Sequence, residues 1–155
     1  MNMWHSGSGK NATFEEILAK IEHHSIEGGK VFIGCDSQIV RSICIFSTVI
    51  CLHGAEGQKG GYYFFKREKL KRNSFPTMLN RLLKEVEKSI EMGYKIMEIN
   101  PDADIEIHID ANSKKDTKTA KFTDMLVGYA KGAGFKCKIK PDAWASNSIA
   151  DKHSK

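Results

Sequence analysis

The sequence predicts an α/β domain, a mixed five-stranded sheet flanked by helices with an extra helix at the N-terminus. Three observations support this. Residues 30–69 hold three β-branched, apolar runs; "DIEIHID" (104–110) alternates strictly; and amphipathic segments separate the later strand-like runs. After the first helix the order is therefore β-β-β-α-β-α-β-α, which implies three antiparallel strands followed by parallel β/α alternation. The 155 residues, 41% hydrophobic and 28% charged, suit one soluble globular domain. We expect residues 1–12 as a floppy lead-in and 13–155 as the single domain.

Each element has a local cause. Thr13 and Glu16 have capping-box spacing, Phe14, Ile17, Leu18 and Ile21 recur at helical intervals, and Gly28-Gly29 end the helix. "KVFIGCDSQ" (30–38) is a short, nearly continuous apolar run, suited to a strand covered on both faces. "IVRSICIFSTVICLHG" (39–54) pairs naturally with "YYFFKREK" (62–69) across a glycine-rich connection. Ser74, Phe75 and Pro76 open a long amphipathic helix to about Met92, with Leu79, Leu82, Leu83, Val86 and Ile90 on its apolar stripe. In 104–110, Ile105, Ile107 and Ile109 share one face, and Glu106, His108 and Asp110 the other. "KTAKFTDMLVGYAKGAG" predicts a helix closed by Gly132 and Gly134, "FKCKIK" (135–140) a short strand, and "AWASNSIADKHSK" (143–155) a final short helix.

Several function classes are excluded or weakened. The longest apolar run, 42–52, is too short and too often interrupted by Ser and Thr to span a bilayer. No charged-then-apolar secretory signal opens the chain, so cytoplasm is the expectation. Cys35, Cys44, Cys51 and Cys137 form no C-x-x-C pair and are expected as small hydrophobes. "SGSGK" (6–10) suggests a phosphate loop, but Trp4 and Asn11 stand where that pattern needs Gly and Ser or Thr, and no strand precedes it.

Carboxylates at strand ends are the chemical signal. Asp36 closes "FIGCDSQ" and Asp110 closes "IHIDANSK"; if the two strands are neighbours, both converge at one sheet edge. Converging carboxylates repel unless a cation neutralises them, which suggests a hard divalent metal. The plain alternative is that each begins a turn. Late in the chain, Asn147 and Asp151 are four apart, the spacing of one helical face.

Together, the strand-Asp-Ser at Asp36, the three antiparallel strands, the strand-terminal Asp110 and the late Asn-x-x-x-Asp resemble the ribonuclease H-like superfamily. The wording "GCDSQ", "GYYFFKREK", "IDANSK" and "PDAWASNSIADKHSK" is more particularly similar to the YkuK-type family, a small bacterial ribonuclease H-like group. The resemblance covers residues 28–155 and implies a nuclease using two Mg²⁺ or Mn²⁺ ions, roughly 4 Å apart, on RNA, DNA or a hybrid. It implies Asp36 as the bridging ligand, with Asp110 and Asp151 each closing one side. Ser37 and Asn147 would at most orient ligands, and His108, on the Asp110 face, is expected as a half-buried strand residue, with proton relay as the alternative. The superfamily's helix-borne Glu has no match at 75–84; Glu85, at the edge of the apolar stripe, is the chosen candidate, ahead of Glu87. Asp142 is a rival fourth ligand, or a plain N-cap. A non-catalytic nucleic-acid- or partner-binding module on the same fold is the alternative function.

A net charge of +5 suits an anionic partner. Lys66, Arg67, Lys69, Lys71 and Arg72 follow "YYFF", Lys114 and Lys115 follow Asp110, and Lys136, Lys138 and Lys140 alternate late in the chain. The bases of 66–72 with Lys114 and Lys115 are expected to hold a phosphate backbone, against the alternative of a solvated surface, whereas Lys136, Lys138 and Lys140 are expected as aggregation-resistant sheet-edge lysines.

Overall fold

The computed structural model describes residues 3–58, 61–114 and 116–154, without the side chain of Asn147. Its centre is a seven-stranded mixed sheet in the order β2-β1-β5-β4-β3-β6-β7. The strands are β1 (Trp4–Ser6), β2 (Asn11–Ala12), β3 (Lys30–Val40), β4 (Ile43–His53), β5 (Tyr62–Lys71), β6 (Asp104–His108) and β7 (Lys136–Lys138). The helices are α1 (Phe14–Ile26), α2 (Met78–Ile99), α3 (Thr123–Gly132) and α4 (Asp151–Ser154). β3, β4 and β5 pair antiparallel, while β6 and β7 add parallel to β3's other side.

The sheet has seven strands rather than the expected five because residues 4–12 are not a floppy lead-in. Trp4 pairs with Ala12, and His5 and Ser6 pair with Phe65 and Phe64, so the hairpin caps the β5 edge. Burial of Trp4, with the Lys66 ammonium 5.2 Å from its ring centroid, holds the segment down.

Alternation along the strands divides the core. One face carries Val31, Ile33, Ile50, Leu52, Phe64, Ile105 and Ile107 against Ile17 and Ile21 of α1, Leu82, Val86, Ile90 and Ile96 of α2, and Leu126 of α3. On the other face Val49 and Cys51, flanked by Phe32, Tyr63 and Phe65, pack against Trp144, Ala145 and Ala150. This C-terminal cover is a π-helical turn, Ala145–Ala150, running into α4. All four cysteines are free, and three of them are buried.

Several predicted boundaries move. α2 starts after an N-cap at Thr77, reciprocally bonded with Asn80, and runs past Met92 to Ile99. It continues through Gly93 because a Cβ there would lie 2.6 Å from the Phe135 ring, so the glycine makes room for packing rather than ending the helix. β3 continues past Asp36 to Val40, held by pairing with β4 through a tight turn at Arg41, whose φ is 58°.

These registers create a notch. β3 pairs with β4 as far as Val40 but with β6 only as far as Gly34–His108. Beyond His108 the chain bonds toward the β7 side instead, with Ile109 N–H donating to the Lys138 carbonyl and Lys140 N–H to that of Ala111. Two parallel neighbours thus splay at their carboxyl ends, where open α/β sheets place their crevices.

Candidate metal centre

Asp36 lies in β3 just beyond the last β6 pair, and Asp110 lies two residues past the end of β6, so the splayed strands bring their carboxylates together. Glu85 enters from α2. Oxygen atoms of Asp36, Glu85 and Asp110 lie within 4.8 Å of one another, the group of this kind found among the described residues. Asp36 and Glu85 are only 4% and 5% exposed. The notch forms a 240 Å³ cavity also lined by Ser37, Gln38, Arg81, Thr119, Lys140 and Asp151.

Sequence alternation explains the supporting bonds. Ser37 points to the α2 face of the sheet, where its hydroxyl donates to Glu85 Oε2 at 2.6 Å. Arg81, one helical turn before Glu85, donates through Nη1 to the Ser37 carbonyl and hydroxyl at 3.3 and 3.2 Å. Gln38 shares Asp36's side of the strand, and its amide donates to Asp36 Oδ2 at 3.4 Å and Asp151 Oδ1 at 3.2 Å. Ser154, one turn after Asp151, donates to Asp36 Oδ2 at 2.9 Å. Asp151 borders the cavity and approaches Asp36 but is not part of the carboxylate triplet.

The electrostatics are those of an under-neutralised acid cluster. Burial first, then a hydrogen bond and charge repulsion from Asp110, push the Asp36 carboxyl from 3.8 up to about 8. Burial, then the Asp36 charge, hold Glu85 well above the usual carboxylate range. Among the described residues, the cation in ion-pair contact with the cluster is Lys140, whose Nζ lies 2.8 Å from Asp110 Oδ1. A divalent ion would relieve the repulsion. The donors are all hard carboxylate oxygens, with no Cys or His among the three, so they fit Mg²⁺ or Mn²⁺ rather than a softer metal.

The other predicted residues separate. His108 is fully buried under the C-terminal cover rather than half-buried on a polar face, and its Nδ1 accepts the Ala145 N–H at 3.0 Å. Because Nδ1 is an acceptor, the ring proton sits on Nε2, which faces Glu106 Oε1 at 3.4 Å. Burial lowers the His108 pKa, so the ring is a neutral prop for the cover. Glu87 pairs with Lys84 at 3.3 Å, and Asp142 is exposed in a turn. His153 stacks on Phe65 with centroids 3.7 Å apart. Asn147's side chain and all of Lys115 lie outside the described residues.

The basic segment divides by strand face. Lys66 is buried on the α2 side, pairs with Glu68 at 3.6 Å, and has its pKa lowered by burial; it offers no surface to a partner. Arg67, Lys69 and Lys71 face the other way and are exposed, with Arg67 in one cross-strand row with Ser47 and Asp36. Arg72 lies beyond β5 and Lys114 is exposed in the loop after Asp110.

Gln38, Arg81, Lys140 and Ser154 were not predicted as site residues. Gln38 is signalled by the two-residue strand period from Asp36, and Ser154 by the three-residue helical spacing from Asp151. Lys140 reaches Asp110 only through the parallel pairing of β6 and β7, which no local pattern encodes.

A family model described as "Ribonuclease H-like" matches residues 12–155. No curated protein and no solved structure matches the chain. The mixed sheet, the carboxylates at its splayed strand ends and this match across nearly the whole length agree: the chain belongs to the ribonuclease H-like family.

Proposed function

We propose that this chain, with 13–155 as one domain, is a cytoplasmic metal-dependent nuclease of the YkuK-type branch that hydrolyses phosphodiester bonds in RNA, DNA or a hybrid. The observation that carries this is the convergence of three carboxylates, two buried and one half-buried, in a cavity at the carboxyl ends of two parallel strands. A surface built only to bind phosphates has no use for clustered negative charge. Asp36, Glu85 and Asp110 would hold Mg²⁺ or Mn²⁺, and Asp151 would join them as the ligand from the C-terminal helix. In the two-ion form of this chemistry Asp36 would be among the residues that hold both ions. When bound, such ions supply Lewis acidity toward a phosphoryl oxygen and a lowered pKa for an attacking water. Ser37 and Arg81 orient Glu85, while Gln38 and Ser154 orient Asp36 and Asp151.

A substrate path is also supported. The carboxylate cavity shares Met78 and Arg81 with a 370 Å³ hollow lined by Arg72 and Asn73, and shares Met78 with a 520 Å³ hollow lined by Lys118 and Lys121. A strand crossing the start of α2 would therefore meet cations on both sides of the carboxylates, which suits a phosphate backbone read without regard to sequence. Among the described residues no helix is long and apolar enough to cross a membrane.

The test is cleavage of labelled single-stranded and hybrid oligonucleotides in Mn²⁺, with Asp36→Asn abolishing it. Cleavage that survives Asp36→Asn refutes the assignment. Oligonucleotide binding without cleavage by the wild type supports the alternative, a non-catalytic module, to which the position of Asp151 outside the triplet lends some weight.

A further inference from the structure

Two cations line the carboxylate cavity, and they are held differently. Arg81 is tied by directed hydrogen bonds to Ser37. Lys140 touches Asp110 Oδ1 at 2.8 Å, but that buried oxygen has no hydrogen-bond partner of good angle, so the contact is one of charge more than direction. Lys140's backbone is fixed by its N–H bond to the Ala111 carbonyl at 2.9 Å. Its side chain is 40% exposed, against 20% for Asp110, so the ammonium can leave the carboxylate for solvent without unfolding the loop.

We propose, on the premise that these carboxylates hold a divalent ion, that Lys140 is a resident counter-cation that competes with that ion for Asp110. In the metal-free protein its single charge neutralises part of the cluster. A doubly charged ion bound by the same carboxylate repels the ammonium twice as strongly as a unit charge would, so binding must displace Lys140 toward the rim. The lysine thus lowers metal affinity while stabilising the metal-free fold. A purely structural ion pair would stabilise both forms alike.

The experiment compares wild type, Lys140→Met and Lys140→Arg by calorimetric titration with Mn²⁺ at one fixed pH, and by melting with and without Mn²⁺. Methionine keeps the aliphatic stem and removes the charge; arginine restores it. Lys140→Met is expected to bind Mn²⁺ about tenfold more tightly than wild type. It should melt lower than wild type in EDTA and recover in saturating Mn²⁺, while Lys140→Arg follows wild type. Unchanged or weaker Mn²⁺ binding by Lys140→Met overturns the competition, as does a melting deficit that is equal with and without Mn²⁺. Failure of wild type and both variants to bind Mn²⁺ at millimolar concentration removes the premise, and with it the proposed metal centre.

Discussion

Replacing Asp36 with Asn should stabilise the metal-free protein while destroying its response to metal. Burial and Asp110 push the Asp36 carboxyl from 3.8 to about 8, so at pH 8 it is about half ionised in the folded chain, whose surroundings oppose the charge, and fully ionised in the unfolded one. At about 1.4 kcal/mol per pH unit, that interval corresponds to at most ~6 kcal/mol. Asparagine removes the charge but leaves a polar group buried in the same place, so the substitution recovers less, ~2–3 kcal/mol. Asparagine's carbonyl can still accept the Ser154 hydroxyl that now donates at 2.9 Å. At ~2–4 °C per kcal/mol for a chain this size, Asp36→Asn should melt roughly 5–10 °C above wild type in EDTA at pH 8. Fluorimetric melting with and without Mn²⁺ provides the assay, and the variant should show no Mn²⁺ shift. An Asp36→Asn protein that melts below wild type in EDTA would show that the Asp36 charge is stabilised, not opposed, where it stands.

Other outcomes follow from the same geometry. Because the folded Asp36 titrates above its unfolded value, the folded chain holds the extra proton between about pH 4 and about pH 8; metal-free stability should fall across that window, and Mn²⁺ affinity measured by calorimetry should rise through it. Glu85→Gln should weaken Mn²⁺ binding by tenfold or more, whereas Glu87→Gln, whose residue pairs outward with Lys84, should leave it unchanged. A Cβ on Gly34 would lie 2.6 Å from the Ser146 backbone nitrogen, so Gly34→Ala should lift the C-terminal cover at a cost of ~1–3 kcal/mol in denaturant melts. Lys66→Met should change stability but not the salt dependence of oligonucleotide binding, while Lys69→Ala should reduce that slope by about 0.7–0.9.

Much of the candidate site was legible because its members obey short-range rules. Asp36 and Asp110 interrupt apolar strands where no strand former would, and Glu85 sits at the edge of a helical stripe, a position that proved to be buried. The Asn147–Asp151 spacing was less informative, since the segment begins as a π-helical turn, which holds more residues than an α turn. Long-range facts were not legible. Nothing local says that β3 outruns β6 and opens a notch, that Trp4 finds the β5 edge, or that Lys140 folds back onto Asp110. Lys66 illustrates the limit of a charge run: the strand period alone buries one lysine of a basic segment while its neighbours stay exposed. The C-terminal "SIADKHSK" likewise does two jobs, because Ala150 and Ser154 are fully buried and His153 stacks on Phe65. Truncation after Ile149 should therefore cost stability as well as activity.

The most direct measurement is anomalous diffraction from crystals soaked in Mn²⁺. A peak is expected within bonding distance of carboxylate oxygens of Asp36, Glu85 and Asp110, with Lys140 Nζ withdrawn from Asp110. Millimolar Mn²⁺ that leaves the notch without a peak and the 2.8 Å Lys140–Asp110 contact in place would contradict it.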